Sequence, residues 1–285
     1  MWVFLVVRSV QRSGTFWDHL ESLRWSVLRS ILVLAAVLVV VFTQVNFVFD
    51  RIIMPPTGSG FITYRLMCRL GEFFGMPSLC PGTFQLQIVN YEMSGQFFAH
   101  LSTSFTAALV LTVPYLLYEI WRFVAPALYH RERKYTALIF FSTSALFYIG
   151  ALVSYYIIFP LSVRFLGTYE VSASIPNHIS LQSYLGTLYV LIFAMGILFE
   201  LPVLTFLLSS MGIIHRALLR KVRSYAMVVI LILAALITPT TDPFTMLFVA
   251  APVYLLYELS ILVCRSKNTE NTANTPDDDV YGLND

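Results

Sequence analysis

Charge is scarce in this sequence: Asp, Glu, Lys and Arg make up 12% of 285 residues, against 58% hydrophobic. At a mean hydropathy of +0.74, so much apolar surface cannot be folded into one water-soluble core, and the chain belongs in lipid. Metal-ligand spacing is also missing. The histidines at 19, 100, 130, 178 and 215 are scattered over both faces and the lipid, so no metal site is expected. There is no phosphate-binding glycine loop, no strained nucleophile turn and no zinc helix motif, which argues against an enzyme. No cofactor and no nucleic-acid partner is called for. The first seven residues, MWVFLVV, are apolar but have no basic leader and too little apolar length for a secretory signal, and they read as a start-site extension or a surface-lying stub.

Cysteine is nearly absent, with three in all. Cys68 and Cys80 share the long loop Asp50–Gln96. A disulfide there would be worth about 3 kcal/mol in an oxidising compartment, and two free thiols fit the sequence equally well. Cys264, at the end of the last helix, reads as a packing residue.

Apolar length is abundant. A span needs roughly 20 apolar residues to cross about 30 Å of hydrocarbon. Four runs supply them, Val27–Phe49, Phe97–Ile120, Tyr135–Leu161 and Tyr184–Met211, and two shorter ones follow, Tyr225–Ile237 and Phe244–Cys264. The fifth reaches only about 20 Å at 1.5 Å per residue, so it needs local thinning or partial submersion. Thr238 to Pro243 can only be a tight connection, which makes the last two a helical hairpin that either spans or re-enters; spanning is favoured. Of the 18 basic residues, 14 flank the segments on one side, from Arg8, Arg12, Arg24 and Arg29 to Arg265 and Lys267. Lys and Arg favour the cytoplasm, so six crossings with both termini inside are expected. The chain divides into a cytoplasmic amphipathic segment 1–26, a six-helix transmembrane domain 27–264 and a disordered acidic cytoplasmic tail 265–285.

Charge gathers at few places. Between the second and third spans, FVAPALYHRERK (Phe123 to Lys134) encloses the carboxylate of Glu132 among His130, Arg131, Arg133 and Lys134. It reads either as a solvated helix end or as a receptor for a guanidinium, whose planar fork a carboxylate accepts with two parallel bonds. FWDHLESLRW, Phe16 to Trp25, alternates apolar and polar residues as an amphipathic helix lying on the cytoplasmic surface before it turns into the membrane. Glu200 is ionisable within the fourth span and precedes Pro202, so a functional contact is the default reading. Glu119 and Glu258 each follow a tyrosine near a helix end, where snorkelling is cheap, and read as structural. Thr238, Thr241 and Asp242 suit a turn and the start of a helix at Pro243.

With LFYIGALVSYYIIFPL (Leu146–Leu161), FELPV (Phe199–Val203) and TPTTDPF (Thr238–Phe244) following in order, the chain from Phe16 to Cys264 resembles the TatC family, the polytopic subunit of the twin-arginine protein translocase. The resemblance implies an all-α, glove-shaped receptor of six transmembrane helices in the inner membrane, with both termini cytoplasmic. It implies binding of twin-arginine signal peptides of folded cargo, assembly with small single-span Tat subunits and further copies of itself among membrane lipids, and export driven by the protonmotive force. By position, Glu132 matches the family's signal-binding glutamate, and Phe123 and Leu128 match its neighbours. The family pattern at the amino-terminal helix is His-Leu-any-Glu-Leu-Arg, whereas His19, Leu20, Glu21, Ser22, Leu23 and Arg24 stand here. The second carboxylate position is thus Ser22, with Glu21 one residue earlier and about 100° away around a helix. Glu200 matches the fourth-helix glutamate, placed on the concave face. Thr238, Thr241 and Asp242 match a polar patch where partner helices dock, although Thr245 and Met246 replace the family's Ser-Gln.

Two rival functions remain at this level. A secondary transporter or channel would suit Glu200 and the proline-bearing spans, but the halves show no matching pair of interrupted helices. A membrane enzyme lacks any catalytic motif.

Overall fold

The computed structural model describes residues 16–75, 80, 86–124, 136–169, 172, 178–238 and 242–264. Helix α1 (Phe16–Thr43) is followed by a short α2 (Val45–Val48) and a π-helical turn, Phe49–Ile53. The long loop then holds α3 (Ile62–Phe73) and β1 (Ile88–Val89). Next come α4 (Gly95–Val124), α5 (Thr136–Val153), a π-helical segment Ser154–Ile158, α6 (Phe159–Thr168), β2 (Ile179–Ser180), α7 (Leu181–Leu198) and α8 (Leu201–Ser210). The chain closes with α9 (Arg216–Lys221), α10 (Arg223–Ile237) and α11 (Pro243–Val263).

Among the described residues, five helical stretches are long and apolar enough to cross a membrane: Glu21–Thr43, Gly95–Arg122, Ile139–Thr168, Leu181–Ser210 and Pro243–Val263. Helix α10 has 15 residues, about 22 Å at the α-helical rise, and falls short of a full hydrocarbon core.

Two stretches differ from the sequence reading. The amphipathic segment does not turn before entering the membrane: α1 runs unbroken from Phe16 to Thr43. Its sequence has no glycine or proline to break it, so the boundary drawn between residues 26 and 27 falls inside one helix. The third span does not stop near Leu161 but continues to Thr168. Pro160 lacks the N–H that the Tyr156 carbonyl would accept. The chain passes through the π-helical segment there, and the Thr63 hydroxyl of α3 donates to the Tyr156 carbonyl.

That repair recurs. Pro114 orphans the Val110 carbonyl inside α4, and Tyr148 donates to it at 3.3 Å. Pro56 does the same to Ile52, which receives the Tyr155 hydroxyl at 2.6 Å. In lipid an unmet carbonyl costs several kcal/mol, so the Thr63 and Tyr148 hydroxyls offset the cost of Pro160 and Pro114 within their spans, while Pro56 lies in the long loop. Tyr64 donates to the Pro160 carbonyl at 2.8 Å. Burial pushes its phenol far above the usual range, with Arg164 pulling the other way, so it remains a neutral donor.

Helix α7 lies at the centre, with Tyr184, Leu188, Leu191 and Met195 fully buried. Its approach to α5 depends on two glycines. A Cβ on Gly150 would come within 2.6 Å of the Met195 carbonyl oxygen, and one on Gly196 within 2.5 Å of the Phe147 ring. At the long-loop end, β1 pairs in parallel with β2, Ile88 facing Ile179 and Val89 facing Ser180. Cys68 and Cys80 form a disulfide there, with Cα atoms 4.1 Å apart.

Candidate functional site

The site expected from the sequence has two halves, one on the loop after α4 and one at the start of α1. Glu132 and Leu128 lie outside the described residues, and Phe123 is described only as part of the last turn of α4. On α1, Glu21, Ser22 and Arg24 are all exposed.

The register between α1 and α4 fixes where those three stand. The Phe42 and His100 rings approach to 4.3 Å, and His100 Nε2 lies 3.2 Å from the Phe42 carbonyl oxygen. Some 13 residues back along α1, Arg29 Nη1 is 3.9 Å from Glu119 Oε1. The helices are therefore antiparallel, and Glu21 lies eight residues, about 12 Å, beyond Arg29. That carries Glu21, Ser22 and Arg24 to the end of the molecule where α4 finishes at Val124 and the Glu132 loop begins. Glu21 and Ser22 are consecutive on one unbroken helix, so they point in different directions.

Glu119 does not snorkel as the sequence suggested. Its side chain is only 5% exposed because α1 covers that face of α4 and brings Arg29 with it. Tyr115, one turn earlier, donates to Glu119 Oε1 at 2.9 Å. Near the end of α11, Tyr254 likewise donates to Glu258 at 3.1 Å, and Arg223 of α10 pairs with the same carboxylate. Sequence reading noted Tyr118 and Tyr257, the tyrosines just before each acid, but missed the bonding tyrosines one turn earlier and both arginines, which come from other helices.

Glu200 stands at the break between α7 and α8. Pro202 opens α8, and the preceding turn tightens so that the Glu200 N–H donates to the Ile197 carbonyl at 3.0 Å. Phe199 fits against Gly150 and fixes the break on α5. Both Glu200 carboxylate oxygens are shut off from solvent without a hydrogen-bond partner among the described residues. An ionised carboxylate so placed costs several kcal/mol unless a donor reaches it.

At the hairpin, Thr238 is buried and donates to the Ala234 carbonyl at 3.0 Å. Asp242 accepts the Thr245 N–H at 2.7 Å and caps α11, with Pro243 in the first turn. Both have structural work at the turn. Thr241 lies outside the described residues. Phe244 packs on Phe165 with centroids 4.5 Å apart, which sets the hairpin tip at the long-loop end against α6. Cys68, Glu72 and Cys80 cluster, but both sulfurs are committed to the disulfide, leaving one carboxylate and no donor set for a metal.

The sequence model of the TatC family, described as Sec-independent protein translocase protein, matches residues 18–252. The chain belongs to the TatC family. The TatC protein of Blattabacterium from Periplaneta americana is 34% identical over 250 residues, covering 87% of this chain and 94% of that one. The Deinococcus radiodurans TatC is 32% identical over 253 residues, 89% and 86% respectively. A crystal structure of the twin-arginine translocase receptor TatC superposes with a TM-score of 0.70 at 26% identity, over 87% of this chain and 99% of that one. The chain is thus a multi-pass, predominantly helical, glove-shaped subunit of a bacterial protein translocase that works with other Tat subunits, and it is not a catalytic enzyme.

Proposed function

We propose that this TatC-family protein is the receptor of the twin-arginine translocase, with Glu132 accepting the guanidinium groups of the signal peptide. Glu21, Ser22 and Arg24 of α1 form the second wall of that site, and Phe123 and Leu128 flank the carboxylate. The reading is supported above all by the antiparallel register of α1 on α4, which brings Glu21 to Arg24 to the end where the Glu132 loop starts. Charge-assisted, bidentate hydrogen bonds to arginine suit such a site.

In this reading the chain crosses the inner membrane six times, α10 being the short crossing, and keeps both termini in the cytoplasm. The bias of basic residues toward one side supports that orientation. Small single-span Tat subunits and further copies of the chain assemble on it, Glu200, Thr238, Thr241 and Asp242 supply polar contacts to them, and the protonmotive force drives export of folded cargo.

Binding of a twin-arginine signal peptide to the purified chain tests the site. Charge-assisted hydrogen bonds are worth roughly 1.5–3 kcal/mol, so Glu132→Ala weakens binding about ten- to a hundredfold. A peptide with Lys-Lys in place of Arg-Arg loses affinity for the parent protein. If Glu21 is the second carboxylate, Glu21→Ala resembles Glu132→Ala and Ser22→Glu restores binding in that background. Unchanged binding by both single variants and the double variant removes the carboxylate receptor.

A further inference from the structure

Helix α3 in the long loop presents three separate faces. Counting 100° per residue from Ile62, Thr63, Met67, Gly71, Tyr64 and Cys68 fall between about 100° and 240°, and these side chains are the buried or half-buried ones. Ile62, Phe73, Leu66 and Leu70 fall between 0° and about 80°, yet they are 56%, 84%, 56% and 46% exposed. Arg65 and Arg69 lie together at about 300° and 340° and are also exposed. A loop helix lying in water would not set four large apolar side chains in one open stripe beside its cations.

The depth of α3 follows from its bonds. Thr63 reaches the Tyr156 carbonyl and Tyr64 the Pro160 carbonyl, both within the third span. That helix continues eight residues past Pro160 to Thr168, about 12 Å further. The start of α3 is thus docked against the side of a membrane-spanning helix, well below its end. Ile52 and Ile157, beside these docking points, are 42% and 50% exposed, so the apolar stripe continues the surface that faces lipid. The Cys68–Cys80 disulfide ties the protein-facing side of α3 to the rest of the loop.

We infer that α3 is an interfacial membrane anchor: Ile62, Leu66, Leu70 and Phe73 lie among the acyl chains of the leaflet at the long-loop end, and Arg65 and Arg69 sit at the level of the lipid phosphates. Arginine supplies planar donors that match phosphate oxygens, and an apolar stripe flanked by cations is the pattern of helices lying in a membrane surface. The occupant is glycerophospholipid, favoured over a protein partner by the continuity of the stripe with the lipid-facing side of the third span. The anchor holds the loop, and with it the Thr63 donor that completes the third span, at a fixed height.

The test uses the full chain in vesicles of phosphatidylglycerol and phosphatidylcholine, with Cys264→Ser and the Cys68–Cys80 disulfide retained. A nitroxide is attached to Leu70→Cys, Phe73→Cys or Arg69→Cys in turn, and its collisions with oxygen and with a water-soluble nickel chelate are measured. Labels at 70 and 73 meet oxygen several-fold more than nickel, while the label at 69 meets nickel more than they do. Any variant that does not elute like the parent is replaced by Ile62→Cys or Leu66→Cys on the same stripe. Nickel access at the stripe positions would put α3 in water and overturn the inference. Exclusion of both reagents would overturn it as well, by showing that a second copy or another protein covers the stripe.

Discussion

Three acids lie in the apolar spans after the first, Glu119, Glu200 and Glu258, and two are held quite differently from the third. Glu119 and Glu258 each accept a bond from a tyrosine one turn earlier and face an arginine from a neighbouring helix, Arg29 and Arg223 respectively. Both lie at the end opposite the long loop, where α4 and α11 finish. Glu200 has neither kind of partner among the described residues, and it sits at a break that Pro202 and Phe199 fix in place. An acid bonded within its own helix and paired across to the next is accounted for by the fold. One held rigid with both oxygens unmet is not accounted for by the described residues, and in the proposed function its partner is what docks.

Glu200→Leu gives the largest expected effect. Removing a partnerless polar group does not weaken the fold, so the thermal midpoint of the purified protein is unchanged or higher. Export of a twin-arginine substrate falls at least tenfold, and Glu200→Gln retains more activity because the amide still hydrogen-bonds at similar volume. If Glu200→Leu unfolds the protein as readily as a change at Glu119, the two kinds of acid are not different.

Arg29→Leu attacks the other side of the comparison. It leaves Glu119, 5% exposed and with one oxygen already lacking a partner, to Tyr115 alone. Stranding a buried carboxylate costs about 2–3 kcal/mol, read as a lower thermal midpoint in detergent. Adding Glu119→Leu recovers most of the loss, since the stranded charge is then gone. Equal loss in the single and double variants would mean that packing of α1, not the ion pair, is what Arg29 provides.

The same contrast explains what could be read in the sequence. Span positions were legible because apolar length is a local property, and the order of motifs carried the family. Glu200 stood out because an acid in an apolar run is rare. The pairing of Arg29 with Glu119 was not legible, because 90 residues separate them and nothing local says that α1 lies along α4. The hydroxyls that serve proline-orphaned carbonyls were hidden for the same reason: Thr63 answers Pro160 and Tyr155 answers Pro56 across long stretches of chain. Helix α3 was legible in principle, since Ile62, Leu66, Leu70 and Phe73 recur at helical spacing. Treating Asp50–Gln96 as a loop concealed it.

Arg223→Gln gives the smallest expected effect and separates burial from pairing. Arg223 and Glu258 are in direct contact, closer than Arg29 and Glu119, yet their side chains are 49% and 29% exposed. Water already solvates both charges, so the bond adds about 0.2–1 kcal/mol, and salt screens part of that. Tyr254 stays on Glu258 and keeps one oxygen satisfied. The thermal midpoint therefore drops less than for Arg29→Leu despite the shorter contact, and raising salt narrows the difference from the parent protein. A drop as large as that of Arg29→Leu, insensitive to salt, would mean that the α10–α11 hairpin depends on this pair as a buried one. Exposure would then fail to rank the two acids, and only the absence of any partner would still set Glu200 apart.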